Sequence, residues 1–146
     1  MALVETFWES AVMQQQLQDM KFKDIAKESG LSLSNITTTF NTKSNITIEK
    51  AFKIAKGVRS NLAIMLGAED ETYVVFPKTP EEARANFWGN IDILSEGDRK
   101  KLLKDMEVRV EPSFVSGAQK GNLEWIERIA THFHIQPYRL IVKERD

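Results

Sequence analysis

The second half of this sequence repeats the order of features of the first in much eroded form, and that repetition restricts the possible folds more than any other feature. "FWES" at residues 7–10 returns as "FWGN" at 87–90, an offset of 80, and "TIEKAFKIA" at 47–55 returns as "NLEWIERIA" at 122–130, an offset of 75. "IML" at 64–66 against "RLI" at 139–141 keeps the 75, while "NIT" at 35–37 against "FVS" at 114–116 gives 79. Those offsets place the missing residues in the loop after the third helix, where deletions cost little. A fixed order of features that recurs in this way reads as two copies of one unit. A unit of roughly 60 residues buries only about 60% of its unfolded surface, so the copies are expected to dock on each other or to dimerise.

Within the first copy the apolar residues keep a helical period. Val4, Phe7, Trp8, Ala11 and Val12 form one stripe, and Phe22, Ile25, Ala26 and Ser29 form a second, shorter one. Gly30 stands where a left-handed residue ends a helix. Ser32 caps the next helix, whose inward stripe is expected to be Leu33, Ile36 and Phe40. The turn-rich "NTKSN" follows, after which Thr47 or Asn45 caps a helix that buries Ile48, Ala51, Phe52, Ala55 and Val58. "NLAIML" makes a short fifth helix before Gly67. Five short helices with brief connections predict an all-α unit over residues 1–67. Residues 68–80, with an acidic cluster and two prolines, read as a linker in which "TYVVF" has strand character, and residues 81–146 carry the second copy.

Composition narrows the function. The first residues lack a basic n-region, and no apolar run approaches the ~18 residues of a membrane span, so neither secretion nor membrane insertion is expected. The absence of cysteine removes disulfides, thiolate metal sites and cysteine nucleophiles and suits a cytoplasmic protein. Net charge is −1 overall but uneven: residues 1–67 hold 8 Lys+Arg against 6 Asp+Glu, and residues 68–146 hold 12 against 15. An anionic partner therefore favours the first half.

The stretch "FKDIAKESGLSLSNITTTFNTKSNITIEKAFKIAKGVRSNLAIMLG" resembles the Cro and repressor-type helix-turn-helix domain, also called the xenobiotic-response-element family, with the likeness running over about residues 4–67. That family's pattern has a small residue in the second helix, a glycine four places on, an apolar residue next and another five further; Ala26, Gly30, Leu31 and Ile36 supply them. Ile54-Ala55 and the apolar run from Leu62 to Leu66 match its end. The resemblance implies tandem five-helix lambda-repressor-like helix-turn-helix modules in an all-α chain. It also implies that Ala26 and Gly30 let the third helix cross the second closely, with Leu31 and Ile36 pinning it down.

A helix of this size fits the DNA major groove, its N-terminal residues meeting base edges. The residues expected to face the bases are Ser32, Ser34, Asn35, Thr37, Thr38 and Asn41. Asparagine pairs bidentately with adenine, and serine or threonine donates to several bases or touches a thymine methyl. A solvated helix face is the competing reading for these side chains, but such faces are usually built from Glu, Lys, Gln and Ala. Lys21 and Lys23 at the start of the second helix, and Lys43, Ser44 and Asn45 before the fourth, are expected at phosphates, helped by the fourth helix's N-terminal dipole. The family more often uses glutamine than lysine at the first of these places. The third helix and its loop contain no arginine, so the strongest guanine contact is missing and modest affinity is expected.

The second copy departs further. Arg109 occupies the turn-glycine place, and "LSEGDRKKLLKDME" fits the second helix only with a register shift. Its outer face offers Ser113, Ser116, Gln119 and Lys120, but this half is acidic and reads as a docking or dimerisation module. Repressors of this type bind paired half-sites as two-fold dimers.

Other constellations are weaker. His132 and His134 are two residues apart, do not share a helix face and have no third ligand in view, so no metal is expected. Ser113, Ser116 and Lys120 evoke a Ser-Lys dyad, which needs a β-rich domain that this helical half does not supply. Trp8, Trp88 and Trp125 lie on helical stripes and read as core rather than as a ligand cage. No Gly-rich phosphate loop and no paired catalytic carboxylates stand out, so neither an enzyme nor a cofactor is expected. The sequence thus leads to a cytoplasmic, homodimeric regulator of transcription, a repressor by type, that reads double-stranded DNA. The alternative is a protein-interaction module, such as an antirepressor or antitoxin, that keeps the helix-turn-helix fold.

Overall fold

A computed structural model describes residues 3–145. Among them the chain forms nine α-helices, a 3-10 turn and one two-stranded ribbon, so the architecture is all-α in its main elements. The first half runs α1 (Leu3–Leu17), α2 (Phe22–Ser29), α3 (Leu33–Thr42), α4 (Ile48–Gly57) and α5 (Leu62–Met65). After β1 (Val74–Val75) come α6 (Pro80–Leu94), α7 (Arg99–Asp105), α8 (Pro112–Ser116), α9 (Leu123–Phe133), the 3-10 turn Pro137–Leu140 and β2 (Lys143–Glu144).

The caps explain most boundaries. Ser32 Oγ accepts from Asn35 N–H, Thr47 from Lys50, Asn61 from Ala63, Thr79 from Glu82 and Asn122 from Trp125, each satisfying a donor that the helix leaves open. Of the two candidate caps for α4, the structure uses Thr47.

The order of elements in residues 3–65 recurs in 80–140, and so do particular contacts. Phe7 and Trp8 meet edge-to-face with centroids 5.2 Å apart, as do Phe87 and Trp88 at 5.2 Å. Trp8 then packs on Phe40 at 5.2 Å and Trp88 on Phe114 at 5.0 Å. Each indole N–H donates to a carbonyl just beyond, Trp8 to Ser44 at 2.9 Å and Trp88 to Gln119 at 3.1 Å. Phe40 and Phe114 each stand three residues before a left-handed cap, Lys43 and Gly117. Phe114 therefore takes the place of Phe40, at an offset of 74, and the expected pairing of "NIT" with "FVS" is corrected. Residues are lost from the third helix itself: α3 has ten and α8 five. The left-handed residue after α7 is Glu107 (φ 59), so Arg109 does not occupy the turn-glycine place.

The halves share one hydrophobic core that includes Phe7, Ile48, Ile54, Phe87, Leu123, Ile126 and Leu140. Residues 68–80 do not hang free between them. Ala68, Val74 and Phe76 are buried in that core, and β1 pairs antiparallel with β2, Val74 opposite Glu144. Arg145 fastens the ribbon, its backbone N–H donating to Tyr73 and its Nε to the Glu71 carbonyl.

Where the halves meet, α4 and α9 point their first turns at each other. The N–H of Ile48 donates to the Gly121 carbonyl (3.2 Å), and the N–H of Leu123 to the Ile46 carbonyl (3.1 Å). Asn45 crosses over, its Oδ1 accepting from the N–H of Glu124 at 3.1 Å. The first three N–H groups of α9 are thus met by Ile46, Asn45 and Asn122 in turn.

Candidate nucleic-acid interface

The turn between α2 and α3 is closed locally. Gly30 has φ 78, a region that a Cβ disfavours, and its N–H donates to the Ala26 carbonyl. Ser29 is buried beside it; its hydroxyl donates to the Ala26 carbonyl at 3.2 Å and accepts from the Leu31 N–H at 3.1 Å. The closest approach under this turn comes from α4 rather than α3. A Cβ on Gly57 would lie 2.9 Å from both Ile25 Cγ2 and Ser29 Cβ, so α2 and α4 touch backbone to side chain there. Gly57 thus gives close packing of the kind expected at Ala26, and its only sign in the sequence is a glycine at the end of an otherwise regular helical stripe.

Helix α3 is held by Ile36, Thr39 and Phe40, all buried. Leu33 is not part of that stripe: it is 52% exposed, because it lies a turn before Ile36 on the flank of the helix and no neighbouring element covers it. Opposite the buried stripe, Ser34, Thr38 and Asn41 are exposed and Thr37 half-exposed, with Thr42 beside them. Thr37 and Thr42 donate their hydroxyls back along the helix to the carbonyls of Leu33 (2.9 Å) and Thr38 (2.7 Å). Asn35 sits at the margin. It is half-buried and its Oδ1 accepts from Thr39 Oγ1 at 3.0 Å, so it is the least outward of the residues expected on this face. Ser32 is exposed, with its oxygen engaged as the helix cap.

The flanking donors divide. Lys21 and Lys23 are exposed at the start of α2, where Asp24 accepts from the Lys21 N–H at 2.9 Å. Lys43 is exposed in a left-handed cap after α3, but it borders a surface groove with Trp8, Glu5 and Glu9, whose carboxylates oppose an anion there. Ser44 is exposed and lends its carbonyl to Trp8. Asn45 is turned toward α9, where its Oδ1 accepts from Glu124 N–H, and the first N–H of α4 is taken by the Gly121 carbonyl, so of the expected phosphate donors at the start of α4 that N–H is engaged. The reason is the docking of the second half, which no local pattern announces.

In the second half Ser113, Ser116 and Gln119, candidates for an outer face, bond to one another around α8. Ser113 Oγ accepts from Gln119 Nε2 at 2.9 Å, and Ser116 Oγ donates to the Ser113 carbonyl and accepts from Ala118. Arg99 stands over the Trp88 ring, 4.7 Å from its centroid, and is paired bidentately with Asp92 at 2.7 and 2.9 Å. His134 is the left-handed residue that closes α9, and Trp125 packs on Phe114 at 4.6 Å. No helix of the described residues is long and apolar enough to cross a membrane.

Comparison with protein-family models, with curated proteins and with solved structures found no match to this chain.

Proposed function

We propose that the chain is a sequence-specific, double-stranded DNA-binding regulator of transcription, a repressor by type, built from two helix-turn-helix modules of which the first reads DNA. The observation that carries this reading is the exposed face of Ser34, Thr37, Thr38 and Asn41 on a helix pinned from behind by Ile36, Thr39 and Phe40. Small polar side chains suit base edges in a major groove better than they suit a plain solvated helix. Lys21 and Lys23, beside the N-terminus of α2, are the best-placed phosphate grips, followed by Lys43 and Ser44. The second module, with its halved third helix, serves to dock on the first, and a homodimer on paired half-sites completes the operator complex. The setting is cytoplasmic, and the chain acts by occupancy rather than catalysis.

Titration of the purified protein into random duplex DNA at low and moderate salt tests the reading, because affinity that depends on phosphate contacts falls steeply as salt rises. Steep weakening is expected.

A second reading, a protein-interaction module such as an antirepressor or antitoxin, draws support from Glu5 and Glu9 beside Lys43 and from the covered first turn of α4. Absence of any DNA complex even at low salt would favour it.

A further inference from the structure

We propose that Leu33 reads a thymine: in the complex with DNA its side chain lies against the C5-methyl group of a thymine in the major groove. The proposal rests on DNA binding by the first half, and it names the base that one position of the half-site carries.

Leu33 keeps helical spacing to Ile36 and Phe40, yet it is 52% exposed while they are 0% and 2%. A lone exposed leucine is ordinary on most surfaces. This one stands where a groove helix makes its base contacts, because it is the first residue of α3, directly after the Ser32 cap. Cα–Cβ bonds tilt toward a helix N-terminus, so the first side chain is carried at the leading end, where base edges are met. Thr37 lies one turn on and Asn41 two, which puts Leu33 in a row with two residues of the polar face.

The polar atoms around it are largely engaged within the helix. Ser32 Oγ accepts from the Asn35 N–H at 3.1 Å, Asn35 Oδ1 accepts from Thr39 Oγ1 at 3.0 Å, and the Thr37 hydroxyl donates to the Leu33 carbonyl at 2.9 Å. α3 carries no arginine or lysine, the side chains that pair best with guanine. The start of α3 therefore presents apolar carbon beside the Ser34 hydroxyl. Of the groups that base pairs show in the major groove, the thymine methyl is the apolar one. Opposite a G·C pair the same leucine would cover N7, O6 and the cytosine amino group with carbon and leave them without partners. Thymine gains a contact at the place where G·C incurs a loss.

The test begins with selection of tight-binding duplexes from a random library by the full chain at low salt. The selected duplex is then remade with deoxyuridine in place of thymine at one position at a time, which removes a methyl group and keeps every hydrogen-bonding group of the base. At one position per half-site the unaltered protein should lose about fourfold in affinity, the worth of one buried carbon. Leu33→Ala should bind the unmodified duplex about tenfold more weakly and should no longer respond to uracil at that position. Its side chain is exposed, so the variant should melt with the unaltered protein. A uracil cost that is the same in both proteins at every position would overturn the proposal and leave DNA binding standing. Leu33→Ala binding as tightly as the unaltered protein would also overturn it and assign Leu33 to a protein partner. A library that yields no bound duplex at low salt would end both the DNA reading and this one.

Discussion

Thr47 and Asn122 face each other in a single antiparallel bridge, and each is also the cap of the helix that follows it. The same four backbone groups that would carry the ends of two separate helices here join the halves. The two halves are therefore held together by hydrogen bonds at their helix starts as well as by the core they share.

That junction depends on Gly121. Its φ is +74, and a Cβ would come within 2.7 Å of Ile48 Cδ1 and 3.1 Å of Phe87 Cε2. Gly121→Ala should cost about 2–4 kcal/mol, the left-handed strain plus the clash. Gly97 (φ +81) has open space around its Cβ position, so Gly97→Ala should show the strain alone, about 1–2 kcal/mol. Urea denaturation of the two variants, side by side, measures the difference.

Gly57 ends α4 and Gly89 lies inside α6, and they should respond with opposite signs. Gly57→Ala forces a methyl against Ile25 and Ser29, and the net loss should be about 1–2 kcal/mol despite the gain in helix propensity. Gly89→Ala meets nothing and should gain about 0.5–1 kcal/mol. Thermal melts should move down for the first and up for the second.

One core that spans both halves implies one unfolding event. Calorimetry of the full chain should give a single transition with a ratio of calorimetric to van't Hoff enthalpy of about 1. Two resolved transitions would show that residues 3–67 and 80–145 fold as independent units.

On the proposed DNA face, Asn41→Ala should reduce discrimination between operator and non-operator duplexes by about 1–3 kcal/mol. Lys21→Ala and Lys23→Ala should instead weaken all sequences alike and lower the salt slope by about 1 each. Asn35→Ala should do less than Asn41→Ala, since its oxygen is held by Thr39. Competition binding at two salt concentrations distinguishes these outcomes.

Much of the first half could be read from the sequence because its determinants are local. The stripes of α1 and α2, the caps Ser32 and Thr47 and the left-handed Gly30 all follow from residues within one or two turns of each other, while in α4 Ile54 is buried and Phe52, expected inward, is half-exposed. The errors fall where distant residues decide. Leu33 keeps helical spacing to Ile36 and Phe40 yet stays exposed, because burial depends on which element lies opposite. Asn45 has the chemistry to cap α4, yet Thr47 does so while the Asn45 oxygen meets Glu124, far along the chain. The trimmed third helix of the second half was hidden for a related reason. Phe114 holds Phe40's place against tryptophan while the residues ahead of it differ in number, and a sequence offset does not record which aromatic ring meets which.

The pairing of Ile48 with Gly121 also sets a schedule for biosynthesis. At roughly 5–20 residues per second, a ribosome needs roughly 4–15 s to pass from one residue to the other. Throughout that interval the nascent first half has Ile48 and its neighbours without their covering surface, and the Ile48 N–H is left to water. A chaperone that shields apolar surface on emerging chains has its best opportunity then, and pulse-labelled nascent chains halted before and after Gly121 should differ sharply in protease resistance.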